Sequence, residues 1–95
     1  MSNHSYTNHV KITYDTAKNE RNIALRGLPF DLVADLDWES ANITEDTRKA
    51  YGEARFIAYG YIGHRMHVIV YTPRAGGIRV ISLRKANSRE VKEYG

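Results

Sequence analysis

Arginines in the second half of the sequence occupy positions that suit contact with a phosphate backbone. Arg79 and Arg84 lie within GIRVISLRKANS, Arg74 lies in the loop before it, and Arg55 lies in an earlier segment. A planar guanidinium can donate two parallel hydrogen bonds to phosphate, whereas lysine would serve a merely solvated surface equally well. The pattern indicates a polyanion site, and an ordinary solvated face is the alternative at a net charge of only +3.

The charge is divided unevenly along the chain. Residues 1–53 contain six Lys/Arg and nine Asp/Glu, a net −3, whereas residues 54–95 contain eight and two, a net +6. A surface of one sign attracts polyanions over roughly 8 Å at physiological salt. Tyrosines are interleaved with these arginines, and aromatic rings stack on unpaired bases, although tyrosine is also common in sheets. The predicted partner is single-stranded RNA, with these candidate contacts: Arg48, Arg74, Lys85, Tyr59, Tyr61 and His67.

The chemistry available to such a site is limited. The sequence has no cysteine, which excludes disulfides, thiolate metal sites and cysteine nucleophiles. Its four histidines form no helical pair with metal-ligand spacing, so we predict no metal and no cofactor. His67 is either an acid/base group or a partly buried polar side chain.

RNA cleavage needs neither cysteine nor metal. A ribose 2′-hydroxyl attacks the adjacent phosphate when a base accepts its proton and fixed cations stabilise the developing charge. Glu53, within GEARF, is the carboxylate nearest in sequence to the arginine group and is the candidate base. The alternative for Glu53 is an ion pair with Arg55 or Arg48.

The first part of the chain predicts one strand and two helices. VKITYD, residues 10–15, alternates apolar and polar residues as an edge strand does. Asp15 as N-cap and Gly27 as C-cap bound a helix over about Thr16–Arg26, and Pro29 begins a second short helix. The apolar stripe of the first helix is predicted to be Ala17, Ile23 and Leu25.

The remainder predicts a sheet and a final helix. A short strand near ANITED precedes RFIAYGYI, RMHVIVYT and GIRVISLR. Gly63-His64 has the form of a two-residue type II′ turn, which pairs Ile62 with Arg65 and Phe56 with Tyr71. Both faces of this hairpin are largely apolar, and the small Ala58 and Gly60 favour their own face as the one that helices approach. Asn87 or Ser88 caps a last helix over Ser88–Tyr94.

These elements predict one α+β domain over residues 10–95. It has an N-terminal strand, two helices, an antiparallel sheet of about four strands and a short C-terminal helix. Residues 1–9 are polar and are predicted to be a disordered leader. No stretch approaches the roughly 20 apolar residues of a membrane span, so we expect a cytoplasmic protein with no membrane partner.

Three blocks, in one order, resemble the BrnT family of bacterial type II toxins. They are EDTRKAYGEARFIAYG, IVYTPRAGG and IRVISLRKANSREVKEY, similar to the family's DxRxxYGExRFxAxG stretch, its V-Y-T-x-R loop and its R-I-I-S-x-R-x-A-x-x-x-E-x-x-Y ending. The resemblance covers about residues 10–94. Upstream, Tyr14, Asp15, Lys18 and Asn22 match the family's W-D-x-x-K-x-x-x-N. Leu25-Arg26 replaces its Lys-His, so no role of that histidine is carried over.

The resemblance implies a RelE-like fold and a toxin that cleaves RNA without a metal and inhibits translation. It also implies a cognate BrnA-type antitoxin, which binds DNA as a dimer and masks the toxin in a hetero-oligomer. The matching positions imply these catalytic groups: Glu53, Arg55, Arg79 and Arg84. The alternative is an inactive RNA-binding or antitoxin-docking module that acts in operon autoregulation.

The nuclease hypothesis makes one structural demand. Guanidinium groups from separate segments must converge on one open concavity that admits a phosphodiester. The hypothesis fails if they lie on opposite sides of the molecule, or if each is paired with its own carboxylate.

Overall fold

A five-stranded mixed sheet organises the computed structural model, which describes residues 11–95. The strand order is β1-β5-β4-β3-β2. The elements are β1 Lys11–Tyr14, α1 Thr16–Arg26, a 3₁₀ helix Phe30–Asp35, β2 Asn42–Glu45, β3 Phe56–Ile62, β4 Arg65–Arg74, β5 Gly77–Lys85 and α2 Ser88–Tyr94. The predicted α+β class is confirmed. The predicted disordered leader, residues 1–9, lies outside the described residues.

The N-terminal strand belongs to the same sheet and runs parallel to its neighbour. Tyr14 of β1 pairs with Val80 of β5, whereas the other strand pairs are antiparallel. The predicted antiparallel sheet of about four strands is confirmed as β2–β5, and β1 is an edge strand as predicted. The prediction did not include the parallel pairing by which β1 becomes a fifth strand of that sheet. Alternation identifies a strand but carries no information about its partner, and this partner lies far along the chain.

The central hairpin has the predicted register. Ile62 pairs with Arg65 and Phe56 pairs with Tyr71, and Gly63 has a φ of +62°, as a tight primed turn requires of its first central residue. A Cβ at Gly60 would lie only 3.1 Å from side-chain carbons of Leu36 and Ala41. The face that carries Gly60 is therefore the one covered by the N-terminal segment, as predicted.

Two asparagines, and not an apolar stripe, attach α1 to the rest of the protein. Asn22 Nδ2 donates to the carbonyls of Leu28, at 2.9 Å, and Leu83, at 3.0 Å. Asn19 Oδ1 accepts from the backbone N–H of Phe30 at 2.8 Å. The caps and bounds of α1 are as predicted, but its predicted stripe is wrong because those side chains are exposed, Leu25 by 75%.

The N-terminal helices cover one face of the sheet more completely than the opposite face is covered. The main core lies under α1 and the 3₁₀ helix and includes Phe30, Val33, Ile69 and Leu83. A second, smaller cluster lies on the opposite face, where Met66, Val68 and Ala86 pack with Ile57, Tyr59, Tyr61 and Tyr94. We call this second face the open face. Within residues 11–95, the only helix against it is α2, which buries none of its own residues.

Candidate functional site

The open face carries arginines from both β4 and β5. Arg84 lies opposite Val68, and Arg79 lies opposite Thr72. Val68 packs in the open-face cluster, and Thr72 is four residues further along the same strand, so both point to this face. Arg74 continues the row, and its Nη1 donates to Thr72 Oγ1 at 3.3 Å.

A β-bulge is what places Arg79 and Arg84 together. The two residues are five positions apart, and in a regular strand an odd spacing points side chains to opposite faces. The register shifts between Val70 and Tyr71, whose partners on β5 are Ser82 and Val80, so Ile81 is an extra residue. Such an insertion re-aims the side chains beyond it. Both arginines therefore face the same side of the sheet.

One end of the open face gathers the loop before β3 and the end of β4. Thr72 donates its hydroxyl to the Ala54 carbonyl at 2.7 Å, which ties this loop to β4. Glu53 Oε1 lies 3.3 Å from Arg74 Nη2. Glu53 therefore pairs with Arg74, and not with Arg55 or Arg48 as the alternative interpretation proposed.

Arg55 is held by an aromatic ring. Its guanidinium carbon lies 4.0 Å from the centre of the Tyr51 ring, the geometry of a cation–π contact. Its Nε is buried and has no hydrogen-bond partner among the residues that the structure describes, and a buried donor without an acceptor is costly. Among residues 11–95, no carboxylate lies within 4.0 Å of Arg55 or Arg79. Neither charge is neutralised by a carboxylate of the described residues.

At the other end, Arg84 is bound by a carboxylate from α2. Its Nη1 and Nη2 donate to Glu90 at 2.9 Å and 2.7 Å. These bonds lower the pKa of Glu90 from 4.5 to about 2 and raise the pKa of Arg84. Arg48 is paired with Asp46 at 2.8 Å.

The arrangement therefore meets the structural demand in part, because Arg55 and Arg79 have no carboxylate partner among residues 11–95 whereas other arginines do. Cations from separate segments share one face of the sheet. Three of them nevertheless have carboxylate partners, as Arg48 does with Asp46, Arg74 with Glu53 and Arg84 with Glu90.

The two predicted base-stacking tyrosines lie beneath α2. Tyr59 stacks on Tyr94 with ring centres 3.8 Å apart and planes inclined by 11°, and burial raises the pKa of Tyr59. Tyr61 packs in the same cluster. With α2 in this position, the Tyr59 ring already has an aromatic partner in place of a base.

His67 and Lys85 are not brought together with the open-face arginines. They pair with each other across β4 and β5 and alternate with Val68 and Arg84, so they point to the other face. His67 is only 5% exposed, and burial lowers its pKa. Its Nδ1 lies 2.8 Å from the Arg65 carbonyl oxygen, which makes it a satisfied interior side chain.

One cation beside the site was missed by sequence reasoning. A concavity of about 280 Å³ is lined by Lys11, Thr13, Arg74, Ala75 and Ile78. Lys11 reaches this place because β1 pairs in parallel with β5, with Lys11 opposite Gly77. No local pattern in the sequence signals that pairing.

The positions that depart from the family pattern lie elsewhere. Leu25 and Arg26 line a groove of about 200 Å³ between α1 and β5. Arg26 Nη1 donates to Asn22 Oδ1. This groove lies on the helix-covered side of the sheet.

The described part of the chain offers no metal centre of ordinary composition. Residues 11–95 contain no group of three or more His, Cys, Asp or Glu side chains placed to hold an ion. None of its helices is long and apolar enough to cross a membrane.

The fold and the site define a class of small α+β protein with an arginine-rich open sheet face. The family model described as "Ribonuclease toxin, BrnT, of type II toxin-antitoxin system" matches residues 14–90. The match covers most of the chain and all four predicted catalytic positions. The protein therefore belongs to the BrnT family of ribonuclease toxins, and the resemblance read from its motifs is confirmed. A search of curated proteins found no match.

Proposed function

We propose that this protein is a metal-independent endoribonuclease toxin of a type II toxin-antitoxin system. Residues 10–95 form the toxin domain, which cleaves RNA in the cytoplasm and inhibits translation when it is free of its antitoxin. The observation that carries the proposal is the bulge at Ile81, because it sets Arg79 and Arg84 on the face that also bears Arg74. Family membership supports RNA as the substrate class.

The roles follow from the environment of each side chain. Arg55 and Arg79 have no carboxylate partner among the described residues, so they are assigned to the developing charge on the scissile phosphate. Glu53 lies beside Arg74 at the edge of this group, and its carboxylate is assigned to accept the 2′-hydroxyl proton as the 2′-oxygen bonds to phosphorus. The P–O5′ bond breaks in this displacement, and the departing 5′-oxygen takes a proton from water. Arg74 orients Glu53 and meets the adjoining phosphate.

The arginines that are paired with carboxylates contact RNA by exchanging the carboxylate for a phosphate. An exposed ion pair contributes only about 0–1 kcal/mol, and the side chains of Arg74 and Glu53 are both well exposed. A phosphate can displace such a carboxylate at small cost. Arg84 and Glu90 form a tighter, bidentate pair, so Arg84 is the arginine that RNA recruits with most difficulty.

The test is cleavage of RNA by the purified protein in excess chelator. We expect fragments that end in 2′,3′-cyclic phosphate, because the nucleophile comes from the substrate. Arg55→Ala and Arg79→Ala should each lower the rate by about 10²–10³-fold, as loss of one charge-stabilising donor does. Arg21→Ala removes the same charge from α1, away from the open face, and should leave the rate unchanged.

Two results would contradict the proposed function. Cleavage that depends on added divalent metal contradicts the mechanism. An Arg55→Ala protein that cleaves RNA and stops growth as well as the parent contradicts the site.

The family also implies an antitoxin, and we propose a dimeric DNA-binding protein of the BrnA type. In the resulting hetero-oligomer it masks the open face.

A second candidate function rests on the carboxylate pairs. Because Arg48, Arg74 and Arg84 are already neutralised, the open face also suits an inactive RNA-binding or antitoxin-docking module that acts in operon autoregulation. Growth distinguishes the two functions. Expression without antitoxin arrests growth if the protein is a nuclease and leaves growth unchanged if it is only a docking module.

A further inference from the structure

Asp46 is a buried carboxylate next to the candidate site, at the end of β2. It is only 4% exposed, which is rare for aspartate unless it is paired. Its oxygens accept from Arg48 Nε and Nη2, both at 2.8 Å, and from the Arg48 backbone N–H at 3.2 Å. They also accept from the Tyr51 hydroxyl at 3.0 Å. The bonds from Arg48 hold the pKa of Asp46 far below its usual range, so it is a carboxylate at any working pH.

Asp46 is linked to both ends of one candidate catalytic arginine, directly to the backbone of Arg55 and through Tyr51 to its guanidinium. Its backbone N–H donates to the Arg55 carbonyl at 2.8 Å. Its side chain fixes the hydroxyl of Tyr51, and the ring of Tyr51 lies 4.0 Å from the Arg55 guanidinium. Gly52, with a φ of +78°, makes the turn between the ring and the arginine.

Without this ring, Arg55 has little to define its direction. It has no carboxylate partner among the described residues, and its Nε has no acceptor. Arginine has many rotamers, and a phosphate that binds an unrestrained side chain must first order it. A guanidinium already fixed by stacking meets the phosphate preorganised.

We propose that Asp46 is a positioning residue, which holds Tyr51 so that the ring aims the Arg55 guanidinium at the phosphate of bound RNA. The proposal rests on the nuclease function proposed above. It adds a group that does not touch RNA, and it assigns Tyr51 to orienting Arg55 and not to stacking on a base.

The test combines three substitutions. Asp46→Asn keeps the volume but loses the charge, and Tyr51→Phe keeps the ring but loses the hydroxyl that Asp46 holds. Glu45→Gln is the matched control, because it removes one charge at the neighbouring position from an exposed side chain. Thermal unfolding of each variant checks that it is folded, and Tyr51→Phe retains the test if Asp46→Asn is not.

The first readout does not depend on activity. The Nε–H resonance of Arg55 in an ¹H–¹⁵N NMR spectrum reports the ring current of Tyr51 and the protection of the buried donor from water. We expect it to move toward the position of a free arginine, with faster exchange, in Asp46→Asn and Tyr51→Phe but not in Glu45→Gln.

The second readout is RNA cleavage. Loss of orientation should lower kcat about 10–100-fold with little change in KM. Because both substitutions break the same link, the double variant should be no slower than the slower single variant.

The two readouts separate the proposals. An Arg55 resonance that stays in place in Asp46→Asn and Tyr51→Phe overturns the positioning role. A resonance that moves, in a protein whose parent cleaves no RNA, supports the positioning role and overturns the nuclease function.

Discussion

Replacing Glu90 by glutamine should produce a less stable protein that binds RNA more tightly. Glutamine has the shape of glutamate and still serves at the third position of a capping box, so the box between Asn87 and residue 90 survives. What is lost is the charge that holds Arg84. The substitution therefore frees one cation on the open face without unwinding α2.

The magnitude follows from the geometry of the pair. Lowering the pKa of Glu90 from 4.5 to about 2 corresponds to about 3 kcal/mol if no charge is screened. The Arg84 side chain is 40% exposed and that of Glu90 16%, so solvent screening reduces this to about 1 kcal/mol. The free energy of unfolding should fall by that amount. Since RNA no longer competes with Glu90, its affinity should rise about five-fold.

The assay is fluorescence anisotropy with a labelled single-stranded RNA whose 2′-hydroxyls are methylated, so that it binds but is not cleaved. Urea unfolding gives the stability. Glu93→Gln is the control, because it removes the same charge from the same helix at an exposed position. Weaker binding by Glu90→Gln than by the parent, or an equal gain in Glu93→Gln, would refute the idea that Glu90 competes with RNA for Arg84.

Further outcomes follow from other contacts. The pKa of Glu90 is depressed in the folded protein. The stabilisation from its pair with Arg84 is therefore complete above about pH 4.5 and is lost as pH falls through about 2. The free energies of unfolding of the parent and of Glu90→Gln should become equal in acid. Deleting Ile81 should remove the bulge and turn Arg79 or Arg84 to the other face of the sheet, which should abolish RNA cleavage. The Ile81→Val variant keeps the extra residue and should cleave RNA at the normal rate. Asn22→Ala leaves two buried carbonyls without their donor and should lower the free energy of unfolding by about 2–4 kcal/mol, measured by urea denaturation with exposed Asn42→Ala as the control.

Local signals predicted the local structure well. The Gly63-His64 turn determined the register of the whole hairpin, because a two-residue loop leaves one way to pair the flanking strands. Asn87 marked the start of α2 because its side chain caps the helix. These features depend on a few consecutive residues, and so a single sequence contains them.

The way in which α1 packs against the rest of the protein could not be predicted from local signals. Its attachment uses Asn19 and Asn22, which are polar residues that satisfy distant backbone groups. Hydrophobic periodicity identifies apolar faces and therefore does not predict such polar contacts. The bulge at Ile81 was missed for a related reason, since it exists only relative to β4.

The composition of the candidate site was easier to predict than its connections. Arg74, Arg79 and Arg84 do share a face. The carboxylates that pair with Arg74 and Arg84 lie on a loop and a helix whose positions relative to the sheet the sequence does not specify. His67 was named as a candidate RNA contact, but it lies opposite Gly60 on the covered face, away from the arginines.

The parallel pairing of β1 with β5 delays completion of the sheet until late in the synthesis of the chain. Thr13 donates to the Ile78 carbonyl across 65 positions of chain, and closing so long a loop is slow compared with forming a hairpin. While the ribosome is still making the chain, β1 has no partner until Val80 has emerged. A nascent chain therefore cannot complete the sheet until β5 has been synthesised.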